Sequence, residues 1–275
     1  MNHIMNSFTI QNGKDKAFLK MPLIPLSNET SMKLVPLIAF LTLCFLIIST
    51  MVLPCRANVA HFTDHTYHKE PPDSLVPGRL RLAVIGGGLA YGAATYGLYQ
   101  SWYRDYESGK FHTINDWGNW QSMDKVGHSF TTWFESYFIY KGARWCGMTE
   151  KSAAWTGAGT AMLFQTTVEI MDGFSEGWGY SWSDMAANTL GGALFLAQQL
   201  TWEDQRILMK FSYHQTNYAD IRSEILGSTS SERILKDYNG QTYWLSVNPQ
   251  SFSKNKKIFP NWLNLAIGYS ADGMV

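Results

Sequence analysis

Long uncharged runs rich in small and apolar residues alternate along this chain with short segments where Gly, Pro, Asn and charge collect. The first run, Leu34 to Leu53, is twenty residues without a charge and follows Met32-Lys33. The second, Leu82 to Trp102 (LAVIGGGLAYGAATYGLYQSW), is flanked by Arg79 and Arg81 on one side and Arg104 on the other. It is long enough to cross hydrocarbon. Gly88 and Gly92 stand four apart, as do Gly86 and Ala90, which gives one helix face almost no relief and lets another helix come close. Three further helices follow: about Met123 to Trp145, about Glu150 to Met171, and one capped by Ser181 or Ser183 that runs to about Leu200. Gly147-Met148-Thr149 makes the connection between the first two of these, with Thr149 as N-cap.

Beyond Trp202 the pattern weakens. Glu203 to Lys236 is polar and reads as helix in pieces, broken at Gly227-Ser228. Asn239-Gly240 is a turn signal before QTYWLSV, a strand-like run, and Trp262 to Tyr269 alternates apolar and small residues. The chain stops at Val275 without a terminal element, as a truncated product would. The expected fold is all-α, a bundle of about four main helices with a polar centre and a mixed, mostly helical C-terminal tail. The expected division is a leader (1–57), a polar linker (58–78), the bundle (79–202) and the tail (203–275).

The leader has the layout of an export signal, a basic start, an apolar stretch and a small-residue exit at Ala57, with Met32 as the natural start. Three fates fit it: cleavage after Ala57, retention as an anchor, or acylation of Cys55, for which Pro54 is a poor neighbour. All three place the rest of the chain in the cell envelope. Cys44, Cys55 and Cys146 are the three cysteines; with the leader removed only Cys146 remains, so a disulfide scaffold is excluded and Cys146 reads as a buried thiol. The linker's His61, His65 and His68, with Asp64, read as solvated.

Composition narrows the partners. Lys+Arg and Asp+Glu are 22 each, so no charge excess points to nucleic acid. Charged residues are 16% and aromatics 15%, a profile that suits a protein near lipid. The expected partner is membrane lipid or another envelope protein.

The polar residues of the helices are spaced to share faces. Asp124 and His128 are i and i+4, with Glu135 seven further on. Gln165, Glu169 and Asp172 repeat at i, i+4 and i+7, and Asp184 and Asn188 at i and i+4. Lone buried carboxylates are costly, so the stripes should face one another. The candidate centre is therefore Asp124, His128, Glu169, Asp172, Asp184 and Asn188. It can be a structural network, or it can hold a divalent metal on Asp124, His128, Glu169 and Asp184, a donor set suited to Mg²⁺, Mn²⁺ or Zn²⁺. No organic cofactor is expected: Gly86-x-Gly88 is followed at the third position by Tyr91, which spoils a dinucleotide fingerprint. No Gly-x-Ser-x-Gly elbow or Cys/His pair is present, so no residue is assigned a catalytic role.

The segments DKVGH (Asp124 to His128), EIMDGFS (Glu169 to Ser175) and SDMAAN (Ser183 to Asn188) resemble the DUF2279 family, predicted envelope proteins and lipoproteins, in its longer Bacteroidetes type. The order D-K-x-x-H, E-x-x-D, D-x-x-A-N is similar, more loosely, to VanZ-like membrane proteins linked to glycopeptide resistance. The resemblance covers about Arg79 to Val275 and implies a helical envelope protein with no assigned reaction; the poor acylation motif at Cys55 departs from it. The expected function is a membrane-associated structural or binding role, with a metal-dependent hydrolase or transferase acting on a lipid or cell-wall precursor as the alternative.

Overall fold

The computed structural model describes residues 74–104, 106–253, 258–260 and 262–274. The leader, Met32, Cys44, Cys55 and the three linker histidines lie outside the described residues. The first helix, α1 (Pro77–Leu98), starts with proline in its first turn and runs into a π-helical turn, Tyr99–Tyr103. Its start is tied to the far end of the next helix: Val76 N donates to Cys146 O at 2.8 Å and Arg79 Nη1 to Trp145 O at 3.0 Å. Midway, Tyr91 donates to Thr167 Oγ1 at 2.6 Å and meets Phe164 edge-on.

The centre of the molecule is three helices, α2 (Met123–Trp145), α3 (Glu150–Gly173) and α4 (Trp182–Trp202). Their starts follow from the sequence. Thr149 accepts from Ser152 N, and Ser181 accepts from Asp184 N at 3.1 Å, each satisfying a backbone donor that the first turn leaves free. Trp133, Tyr140, Ala143, Ala153, Ala154, Ala158 and Phe195 form the shared core. Cys146 is buried at the end of α2.

Small residues set how closely α2 approaches its neighbours. A Cβ on Gly191 would lie 2.0 Å from Ser129 O, and one on Gly157 would lie 2.4 Å from Ser136 O. Ser129 Oγ also donates across the α2–α4 contact to Ala187 O at 2.9 Å. Because the obstacle is backbone, no rotamer change can relieve it. Gly191→Ala is expected to lower the unfolding free energy by about 3 kcal/mol in urea denaturation. An unchanged midpoint would show that the two helices are not packed this closely.

The all-α expectation needs correction. Most of the described chain is helical, but five strands are present. A two-residue parallel pair, β1 (Thr113–Ile114) with β2 (Tyr180–Ser181), ties the loop before α2 to the loop before α4. The tail carries a three-stranded antiparallel sheet, β3 (Ile207–Tyr213), β4 (Gln241–Val247) and β5 (Leu265–Tyr269), in that order. β4 and β5 occupy the strand-like stretches of the sequence. β3 replaces expected helix. Its Phe211 and Tyr213 are partly buried while Lys210 and Ser212 are exposed, a two-residue period that the polar flanks obscure. Phe211 and Tyr243 pack on Phe130 of α2, with ring centroids 5.8 and 5.5 Å away. Between β3 and β4 lie the helical pieces α5 (Tyr218–Ile221), α6 (Ser223–Leu226) and α7 (Ser230–Lys236), broken at Gly227 as the sequence suggests.

The uncharged runs within the described residues also fall short of membrane spans. No helix among the described residues is long and apolar enough to cross a membrane. In α1 the glycines, alanines and tyrosines offer too little apolar surface, and Arg79 and Arg81 lie near its start. Large apolar side chains are nevertheless exposed on every main helix, among them Val84, Phe138, Trp155 and Leu190.

Candidate functional site

The site begins with the loop after β1, which carries Asp116 back over the first turn of α2. Asp116 Oδ1 accepts from Ser181 Oγ at 2.6 Å and Ser183 Oγ at 2.7 Å, and its Oδ2 accepts from Lys125 Nζ at 2.7 Å. The loop makes this return through Trp120, Gln121 and Ser122, all left-handed (φ 50, 50 and 58°). Consecutive non-glycine residues rarely adopt that region. Contacts on both sides hold it: Tyr269 donates to Gln121 O at 2.6 Å, Ser122 Oγ donates to Trp117 O at 2.8 Å, and Trp120 meets Tyr238 edge-on.

Lys125 is buried among three carboxylates. Its ammonium lies 2.7 Å from Asp116, 3.0 Å from Asp124 and 2.6 Å from Asp184. Burial works against its charge, but the field of Asp124 and the bonds to Asp116 and Asp184 hold its pKa above the ordinary value. Burial likewise pushes Asp116 upward, yet the bonds from Lys125, Ser181 and Ser183 prevail and bring it down to about 2.

One turn along α2, His128 faces the expected partners. Its Nε2 lies 3.7 Å from Asp124 Oδ1, 3.7 Å from Glu169 Oε1 and 3.9 Å from Asp184 Oδ1. Its Nδ1 is 3.1 Å from Asn188 Oδ1, which also accepts from Thr132 Oγ1 at 3.0 Å. Asn188 thus sets the plane of the imidazole. Glu169 is fully buried; its Oε2 accepts from Ser181 N at 3.2 Å, and its Oε1 has no hydrogen-bond partner. Burial raises Glu169 to about 8, with the charges of Asp184 and Asp172 adding to it against the opposing effect of His128. Burial and Asp124 raise Asp184 to about 6. Burial alone would lower His128, but Asp124, Asp184 and Glu169 together raise it.

The structure therefore brings Asp124, His128, Glu169, Asp184 and Asn188 into one centre. Asp172 stands to one side, accepting from Tyr103 at 2.7 Å, and is raised to about 7 by burial. Glu135 pairs with Gln165 (Nε2 to Oε2, 3.0 Å), and burial raises it to about 7. Sequence reasoning missed Asp116, Lys125, Tyr103 and Tyr238, whose hydroxyl donates to Asp124 Oδ1 at 2.9 Å. For Lys125 a signal existed: a cation within a D-K-x-x-H segment whose neighbours were already assigned to a buried face.

Asp124, His128, Asp172 and Asp184 border a half-open cavity of about 670 Å³ between the bundle and the C-terminal layer. Residues 115–198 match the model of the DUF2279 family, described as a predicted periplasmic lipoprotein. The matched segment runs from just after β1 almost to the end of α4, so it contains Asp116, Lys125 and all six residues of the expected centre. Its description agrees with an exported, envelope-associated location, and the family's function is unknown. The chain matches no curated protein and no solved structure.

Proposed function

We propose that this envelope protein has a membrane-apposed binding role, with a divalent cation held by Asp124, His128, Glu169 and Asp184 at the floor of its cavity. The observation that carries this reading is Glu169 Oε1, a buried carboxylate oxygen with no partner, 3.7 Å from His128 Nε2. Such an oxygen is strongly unfavourable unless a proton or a cation meets it. The spacing favours a cation. At 3.7–3.9 Å the Nε2 to carboxylate distances are too long for hydrogen bonds. A tetrahedral ion with bonds of about 2.1 Å holds its ligand atoms roughly 3.4 Å apart, close to these Nε2 to carboxylate distances. One donor atom each from Asp124, His128 and Asp184 already lies within 4.8 Å of the others. Asn188 would be the carbonyl partner that orients a metal-bound imidazole.

The experiment is calorimetric titration of Mn²⁺ or Zn²⁺ into chelator-stripped protein. One equivalent should bind; Asn188→Ala should weaken it about 10–100-fold, and His128→Ala should remove the stoichiometric site. Equal binding by His128→Ala would refute it. The membrane-apposed part of the reading draws on the exposed apolar side chains of the main helices, and retention in the membrane fraction through carbonate washing tests it.

Asp172 supports a second reading. A carboxyl raised to about 7 that borders the same cavity would suit a general base, and the cation would activate a water for it. Turnover of a chromogenic phosphodiester, lost in Asp172→Asn with metal stoichiometry intact, would select it.

A further inference from the structure

We infer that the cavity takes an amphiphile with a phosphate head, the phosphate oxygens completing the shell of the cation and the hydrocarbon lying between the bundle and the C-terminal layer; this rests on the cation site proposed above. Three features of the cavity converge on that occupant.

The floor is acidic. Asp116, Asp124, Asp172 and Asp184 border the cavity, while the ammonium of Lys125 is already shared by three of them. A bare anion would meet net negative charge there, so an anionic head can enter only as a ligand of the cation. At the rim, Lys236 lies 5.3 Å from the ring centre of Trp102, and both border the cavity, placing a positive charge where a phosphate would pass.

Much of the wall is apolar. Phe130, Phe164, Phe211, Ile225 and Leu235 face the space above the floor. Ile225 and Leu235 are 40% and 50% exposed, apolar surface that a hydrocarbon chain would cover and a sugar would not. The volume is also suitable. About 670 Å³ lies within the range of sites that bury most of a small organic ligand, and far exceeds what a phosphate ion alone needs.

The test uses Mn²⁺-loaded full chain and octyl phosphate below its micelle concentration. Calorimetry should show octyl phosphate binding at least tenfold more tightly than inorganic phosphate, and at least tenfold more weakly once Mn²⁺ is chelated. The phosphorus resonance of the bound ligand should broaden through the bound Mn²⁺. Ile225→Ser/Leu235→Ser, which changes exposed positions, should cost octyl phosphate at least fivefold and leave inorganic phosphate and Mn²⁺ stoichiometry unchanged. Mn²⁺-dependent pelleting with phosphatidylglycerol vesicles, lost in that variant, would assign the head to a bilayer lipid. Octyl phosphate binding without pelleting would assign it to a dispersed phosphate amphiphile. Equal affinity for octyl phosphate and inorganic phosphate would overturn the inference while the cation site stands. So would octyltrimethylammonium binding the stripped protein and being expelled by Mn²⁺. Absence of a stoichiometric Mn²⁺ site would remove both readings.

Discussion

Lys125→Met should destabilise the protein by about 3–5 kcal/mol at pH 7, the range expected when one partner of a buried ion cluster is removed. Methionine nearly matches the lysine stem in volume, so the loss isolates the charge. Without the ammonium, Asp116, Asp124 and Asp184 converge on a shared space with nothing between them. The damage would not be confined to the loop. Asp116 is also held by Ser181 and Ser183, and Ser181 caps α4. Guanidinium denaturation with chelator present measures the effect. The double variant Lys125→Met/Asp184→Asn should recover part of the loss, because it removes one of the three like charges. A loss below about 1 kcal/mol would mean that solvent already screens the cluster.

The reason Lys125 escaped sequence reasoning shows where such reasoning ends. Helical spacing finds residues that share a face of one helix, and it brought Asp124 and His128, Glu169 and Asp172, and Asp184 and Asn188 onto three inward stripes. Lys125 is adjacent to Asp124 and so lies off that stripe. It becomes part of the centre only because the β1–α2 loop folds back and presents Asp116. That return depends on left-handed backbone at Trp120, Gln121 and Ser122, for which no glycine gives a signal. Tyr238 reaches Asp124 from 114 positions away, and only the placement of the C-terminal layer makes that contact. The helices were legible for a different reason. Their apolar periodicity and their caps at Thr149 and Ser181 are local, whereas β3 owes its pairing to β4, beyond three intervening helices.

The same burial that gathers these carboxylates gives the metal-free protein an unusual pH response: stability should fall as pH rises from 5 to 8. Glu135 and Asp172 supply the cleanest part of it. Each is raised by burial to about 7, from ordinary values of 4.5 and 3.8. At pH 3 both are protonated whether the chain is folded or not, and the folded state bears no penalty. As pH climbs past their ordinary values, the unfolded chain releases its protons freely while the folded chain retains them. The folded state therefore loses stability up to about pH 7 and then levels off. One pKa unit corresponds to about 1.4 kcal/mol, so the ceiling is about 3.5 kcal/mol for Glu135 and about 4.5 kcal/mol for Asp172. Asp116, held at about 2, has the opposite sign: its contribution is intact above its ordinary value of 3.8 and is lost only as pH falls toward 2, outside this window. Neutral isosteres separate charge from contact. In Glu135→Gln the new carbonyl still accepts from Gln165, and in Asp172→Asn it still accepts from Tyr103. Each variant should already be somewhat more stable than the parent at pH 5 and exceed it by more at pH 8, with the double variant showing the shallowest slope. Asp184, Glu169 and His128, all raised, would supply the slope that remains. Denaturation curves at half-unit steps from pH 5 to 8 decide the matter, and an undiminished slope in the double variant would place its origin elsewhere.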